Sequence, residues 1–207
     1  MGRRHVVAFI NARSGGQGGL QAMRHLQGLL RPDDTLEEIK PSEGGPRPGL
    51  LRLLARLTND ETEETTAVIL SCGGDGTFNW ISSTLLDICS SSVMNQESGT
   101  GRKRHIKDDK KMDRRKRLLN RIEVIPMPLG TGNDLSRCLG WGSSGTPNSR
   151  LGLSRFLETA RGDATEVEKR QLDMWSISFS VGGVPKFPQF QNYFSVGVDA
   201  EAAFRFG

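Results

Sequence analysis

Four residues, Gly73, Gly74, Asp75 and Gly76, separate an apolar run from a helix-like stretch in the sequence ILSCGGDGTFNW. A lone carboxylate among three glycines fits a tight turn, because Asp-Gly is a common turn pair. It also fits a place where backbone comes close to a ligand, because glycine has no Cβ to hold a partner off. Two other stretches are built alike: NARSGGQGG (Asn11 to Gly19) and PLGTGND (Pro128 to Asp134), with Gly15, Gly130 and Gly132 among their glycines. Bared backbone N–H groups and helix N-termini attract polyanions, and a nucleoside triphosphate is the natural partner. Beside phosphates, Asp75 would hold Mg²⁺, directly or through water, or take a proton from an incoming hydroxyl. Asn11, Ser14, Thr77, Asn79, Thr131 and Asn133 are the hydrogen-bonding residues of these loops, suited to orienting phosphate, ribose or base.

The commoner nucleotide and hydrolase patterns are missing. No G-x-x-x-x-G-K-[ST] occurs, and GTGNDL and GDGTFN both fail the last position of G-x-G-x-x-G. No serine sits in G-x-S-x-G, and His5, His25 and His105 do not cluster with carboxylates. Taken singly, GGDGT could be a structural turn and SGGQGG a linker. Three such loops, each directly after an apolar run, favour a phosphate site.

The elements that must position these loops follow from periodicity. HVVAFIN (5–11), TTAVILSC (65–72) and RIEVIPMP (121–128) read as buried strands, and DTLEEIK as a weaker one. Helical spacing follows in Leu20, Met23, Leu26, Leu29 and Leu30, ended by Pro32. RPGLLRLLARL, with Pro48 near its first turn, is another helix. Phe78, Ile81, Leu85 and Ile88 mark a third helical face, and Leu135–Cys138 and LSRFLETA two more helices. Strand, glycine loop and helix in alternation predict an α/β fold, a parallel sheet with helices on both faces. Ligands of such sheets bind at the carboxyl ends of the strands, where all three loops lie. After Thr165 the pattern alternates as in antiparallel strands, with Gly182–Gly183 as a hairpin turn. The expected organisation is a catalytic domain over 1–165, with a polar and basic insertion at about 89–117, and the first strands of a β-rich second domain over 166–207. Trp80 and Trp141 read as packing residues, and Leu172 and Trp175 as strand residues of the core.

Composition narrows the classes further. The chain has 207 residues and a net charge of +4, yet residues 102–117 hold ten Lys/Arg against three Asp, which leaves the rest of the chain at −3. The basic balance therefore reports one segment, not a nucleic-acid surface. That block reads first as a solvated insertion; it would also suit anionic lipid or a nuclear localisation signal. Three cysteines, without Cys-x-x-Cys, give neither a disulfide framework nor a zinc site. The N-terminus lacks a signal-peptide core and a myristoylation pattern, and no apolar run approaches a membrane span. A cytoplasmic protein is expected.

NARSGG, GGDGTFN and PLGTGNDLSRCLGWG, followed by LDMW and NYFSVGVDA, resemble the catalytic domain of eukaryotic-type diacylglycerol kinases. GGDGT alone is shared with NAD kinases and phosphofructokinases; PLGTGNDLSR with NYFSVGVDA is far more specific. The resemblance implies Mg²⁺-dependent transfer of the ATP γ-phosphoryl group to diacylglycerol at a membrane surface, giving phosphatidic acid. It implies that Asn11, Arg13, Ser14 and Gly15, the loop Gly73, Gly74, Asp75, Gly76, Thr77 and Asn79, and Thr131 line the nucleotide site, with Asp75 catalytic. Ala12 and Arg13 stand where the family often has Pro and Lys, and Arg keeps the cation. The family fold continues into a β-rich accessory domain near whose start this sequence stops, so residues 1–207 alone are expected to have weak or no kinase activity. The alternatives are a sphingosine, ceramide or NAD kinase of the same superfamily, or a non-catalytic nucleotide or lipid sensor.

Overall fold

The computed structural model describes residues 4–16, 18–62, 64–91, 113, 116–143, 149–162, 168–181, 184–186, 188–193, 197–198, 200–201 and 205. The first of its two compact units, Met1–Glu168, contains a four-stranded sheet in the order β2-β1-β3-β4. The strands are β1 (Arg4–Ile10), β2 (Thr35–Glu38), β3 (Thr66–Gly73) and β4 (Ile122–Pro128), and every pairing is parallel. The helices are α1 (Gly18–Gln27), α2 (Arg47–Asn59), α3 (Asp75–Ser91), α4 (Asp134–Cys138) and α5 (Arg150–Arg161). This is the expected α/β fold, a parallel sheet flanked by helices.

β1 and β3 are central and covered on both sides, which is why they read as unbroken apolar runs. On one face Val6, Ala8, Ile10, Val68, Leu70 and Cys72 pack with Ala22 and Leu26 of α1 and Leu153 and Leu157 of α5. On the other, Val7, Phe9, Ala67 and Ile69 meet Leu50, Leu53 and Leu57 of α2 and Ile81, Leu85 and Ile88 of α3. α5 starts on Ser149, whose side chain accepts from the Gly152 amide at 3.0 Å, and ends on Gly162 at φ 74°.

The two edges of the sheet are handled differently. β2 is short and charged, with Glu37 bound to Arg52 at 2.5 Å. β4 carries Pro126 and Pro128. The Arg121 carbonyl and the Leu129 amide both bond β3, so odd-numbered residues face that strand and the prolines face away, where no ladder donor is lost. Arg121 also fastens the start of β4, bonding the Leu57 and Thr65 carbonyls and Asp60 at 2.6–3.0 Å.

At the opposite edge from the loops, Arg161 and Asp34 form an ion pair at 2.5 Å, with side chains only 7% and 3% exposed. Asp34 also accepts the amides of Val6 and Arg31. Burial on its own would raise this carboxyl. The Arg161 hydrogen bond, the two amides and the Arg161 charge outweigh it and hold the group below its ordinary 3.8. A depressed folded value means that its stabilisation is complete above the unfolded value and is lost as pH falls below about 3.8. Asp34→Ala leaves Arg161 buried without its partner, and about 3–5 kcal/mol of unfolding free energy is expected to disappear in urea titrations at pH 7.

Two expectations need correcting. Helix α3 runs on through Ser91, and Cys89 is buried in the core, so the insertion does not begin at 89. Residues 116–120 are helical as well, and Leu118 and Leu119 pack on that same core; most of the basic block lies outside the described residues. The second correction concerns the second unit, Lys169–Gly207. It pairs β5 (Trp175–Ser176) with β8 (Gln189–Phe190), and β6 (Phe179–Val181) with β7 (Val184–Lys186), all antiparallel. The expected turn at 182–183 joins β6 to β7 but lies outside the described residues. The expected strand over 190–200 is not formed at its far end, where Val198, Ala200 and Glu201 are helical after Gly197, at φ 88°, whose carbonyl accepts the Glu201 amide; residues 194–196 and 199 lie outside the described residues. Leu172 and Trp175 are 41% and 60% exposed, so neither is a core residue. Ladders of two or three residues are too short to build a layer over them.

Candidate functional site

Register places the strand ends together: Ile10 is level with Cys72 and with Glu38, and Gly73 with Pro128. The loops after β1, β3 and β4 therefore leave from one edge. They are also bonded to one another. The Asn11 amide donates to the Cys72 carbonyl at 3.0 Å, and the Leu129 amide to the Gly73 carbonyl at 3.1 Å. The Asp75 amide donates to the Gly132 carbonyl at 2.9 Å. Helices α1, α2, α3 and α4 all start at this edge, which turns partly positive helix ends toward it.

Within the first loop, Asn11 is a loop builder. Its side-chain oxygen accepts the Arg13 amide at 3.1 Å and its carbonyl accepts the Ser14 amide at 3.0 Å. Arg13 is exposed and Ser14 half-buried. In the third loop Thr131 and Gly132 are exposed, whereas Asn133 is only 4% exposed. The Asn133 amide nitrogen donates to the Gly130 carbonyl at 2.5 Å, and its Oδ1 is buried with no hydrogen-bond partner. In the second loop Thr77 is buried and Asn79 half-buried on α3.

The Asp75 carboxylate spans the second and third loops. Oδ2 accepts the Asp134 amide at 2.9 Å and Oδ1 the Leu135 amide at 3.1 Å. Cys72, just before this loop, is fully buried, and burial pushes its thiol far up, so it is no nucleophile.

The glycines divide into two sets. A Cβ on Gly73 would lie 2.3 Å from the Thr77 hydroxyl, and one on Gly74 2.7 Å from the Gly132 carbonyl oxygen. One on Gly130 would lie 2.6 Å from the Gly74 Cα, and one on Gly15 2.1 Å from the Leu129 oxygen. Gly74, Gly130 and Gly15 let the loops pack on each other, and Gly73 makes room for Thr77 at the start of α3. Gly76 and Gly18 are different: neither has a left-handed φ, and nothing else in the described residues lies within 4 Å of where their Cβ would be. Both stand in the first turns of helices, α3 and α1, with open space above them.

A fourth loop, residues 40–46, reaches the same edge and is not among the three glycine loops that the sequence marks. The Ile39 amide donates to the Ile10 carbonyl at 2.8 Å, and Gly44 and Gly45 have φ of 90° and 64°. A Cβ on Gly45 would lie 2.2 Å from the ring of Trp80, which is 38% exposed. The signal was present in EGGPRPG, a double glycine before a helix, but β2 ahead of it is short and charged. Trp141 is a packing residue, 5.0 Å from Phe156 by ring centroids and set against the α1/α5 face of the core.

Comparison with known proteins agrees with this architecture. The model of the diacylglycerol kinase catalytic domain matches residues 5–167. A probable diacylglycerol kinase 3 of Caenorhabditis elegans is 31% identical over 98% of this chain and 21% of its own length. Diacylglycerol kinase 2 of Arabidopsis thaliana is 31% identical over 98% of the chain and 24% of its own, and diacylglycerol kinase zeta of Rattus norvegicus 29% over 97% and 18%. The chain thus spans about a fifth of the length of these relatives. No solved structure matches. With the matched domain covering most of the chain, the protein belongs to the diacylglycerol kinase catalytic domain family.

Proposed function

We propose that this region binds ATP and is the catalytic part of a lipid kinase that passes the γ-phosphoryl group to the free hydroxyl of diacylglycerol, giving phosphatidic acid. The observation that carries this reading is that three glycine loops leave one edge of the sheet where the helices begin, the first bonded to the end of β3 through Asn11 and the second tied to the third by Asp75. The open first turns at Gly18 and Gly76 provide a floor that a phosphate chain can approach closely. Around it, Asn11, Arg13, Ser14 and Gly15 form one wall, and Gly130, Thr131, Gly132 and Asn133 another. Arg13 brings a cation, and the buried Asn133 Oδ1 an acceptor without a donor.

Mg²⁺ fits the donor set as an ion held by Asp75 and the phosphates, because such sites use one or two carboxylates with phosphate oxygens. Among the described residues no three His, Cys, Asp or Glu form a site of their own. When bound, the ion would neutralise phosphate charge. Catalysis is then chiefly positioning and charge stabilisation. The acceptor lies in a bilayer, so the work is done at a membrane surface; no helix among the described residues is long and apolar enough to cross one.

The test is transfer of label from γ-labelled ATP to diacylglycerol, sphingosine, ceramide and NAD. It is run on residues 1–207 and on a chimera carrying them in place of the matching part of a diacylglycerol kinase relative. Label in phosphatidic acid, falling about 10²–10³-fold in Asp75→Asn, is the expected result. Transfer to another acceptor instead, or unchanged transfer by the variant, would refute the assignment.

A further inference from the structure

We infer that Asp75 is the positioning residue of the third loop, acting as a cap supplied from across the site to helix α4. Helices usually receive this bond from their own N-cap residue, commonly Asn, Asp, Ser or Thr. α4 begins after Asn133, a residue of the right type, yet Asn133 makes no side-chain cap bond and has φ −138° and ψ 41°. Its amide nitrogen is turned to Gly130 instead. The two first amides of α4, those of Asp134 and Leu135, go to the Asp75 carboxylate, from 59 and 60 residues away in the chain. The Asp75 amide completes the attachment by donating to the Gly132 carbonyl. One residue of the second loop thus fixes three backbone positions on either side of Asn133, those of Gly132, Asp134 and Leu135.

The dependence runs one way. α4 has five residues, far fewer than a helix needs to persist by itself in water, so its start relies on outside bonds. α3 has seventeen residues and packs along the core. Asp75 is therefore anchored on the firm element and holds the weak one. Because Asp75 takes over the capping, Asn133 is released from it, and its buried Oδ1 makes no hydrogen bond. This deepens the proposed function and rests on it only for the consequence: the exposed Thr131 and Gly132, which would face the ligand, stand where Asp75 holds them.

A carboxylate is required because both of its oxygens accept. Asp75→Asn keeps the shape but turns an NH₂ toward one of the two amides. In the ligand-free, isotope-labelled protein, the Asp134 and Leu135 amide protons are expected to shift upfield in Asp75→Asn. Their solvent exchange should quicken by roughly 10- to 100-fold, the loss expected of charge-assisted bonds. Amides of Val68 to Leu70 in β3 should be unaffected. Adding Asn133→Asp to that variant places a carboxylate at α4's own N-cap and should recover most of the protection, but not phosphoryl transfer. MgATP affinity should fall about 10-fold in the single variant. Should Asp75→Asn not fold, the unsubstituted protein still decides the matter, through scalar coupling across the hydrogen bond between the Asp134 amide nitrogen and the Asp75 carboxyl carbon. Absence of that coupling, or unchanged 134 and 135 amides in the variant, overturns the cap. If the cap signals appear but the wild-type protein binds no MgATP, the cap stands and the kinase reading fails.

Discussion

Gly76→Ala is expected to leave the protein as stable as before, or up to about 1 kcal/mol more stable, while weakening MgATP binding by roughly 10- to 100-fold. The stability side follows from helix propensity. Gly76 stands in the first turn of α3 with a φ outside the left-handed region, and alanine there gives up less chain entropy on folding. No neighbour resists the new methyl, since nothing else in the described residues lies within 4 Å of it. The binding side follows from the same emptiness. In the proposed site, the open space above Gly76 is where the phosphates would come close, and a methyl there would hold them off. Calorimetric titration with MgATP and a thermal melt of one sample read both effects. Unchanged affinity would take Gly76 out of the phosphate floor.

Gly74→Ala and Gly130→Ala are expected to do the reverse. Each new methyl meets backbone, the Gly132 oxygen at 2.7 Å in one case and the Gly74 Cα at 2.6 Å in the other. Backbone held by strand ends cannot rotate aside as a long side chain would. A cost of ~3 kcal/mol each, lowering the thermal midpoint by about 6–12 °C, is the expected outcome of such overpacking. The two substitutions strain one contact between the second and third loops. Relaxing it for one methyl makes room for the other, so the double variant should cost clearly less than the sum. Additive losses would mean that the loops do not share that contact.

The sheet was legible because β1 and β3 are buried on both faces, and the apolar, β-branched runs that this requires are visible without knowledge of neighbours. α2 and α3 were equally plain, since Leu50, Leu53 and Leu57, and Ile81, Leu85 and Ile88, recur with helical spacing. β2 and the loop after it were weak because an edge strand is written in charge, here Glu37 and Glu38. The three glycine loops were recognisable as a set, but the division of labour among their glycines was not. Whether Gly74 faces a ligand or the Gly132 carbonyl depends on a contact between residues 58 positions apart. The same holds for Asp75: its sequence neighbours suggest a turn or a metal ligand, and its bonds to the Asp134 and Leu135 amides exist only once β3 and β4 lie side by side. Alternation misled in the second unit, because period-two patterning says that residues could form a strand and not that a partner strand is long enough to bury them.

In the proposed site the three glycine loops hold the phosphates of ATP. Amide chemical-shift mapping of residues 1–207 during MgATP titration tests it most directly and does not depend on turnover. Saturable shifts are expected to concentrate in residues 11–19, 73–79 and 130–135, with little change at the opposite edge around Asp34 and Arg161, and a strongly weakened response in Gly76→Ala. Saturation with the shifts elsewhere, or no saturable response in those three segments, would contradict it.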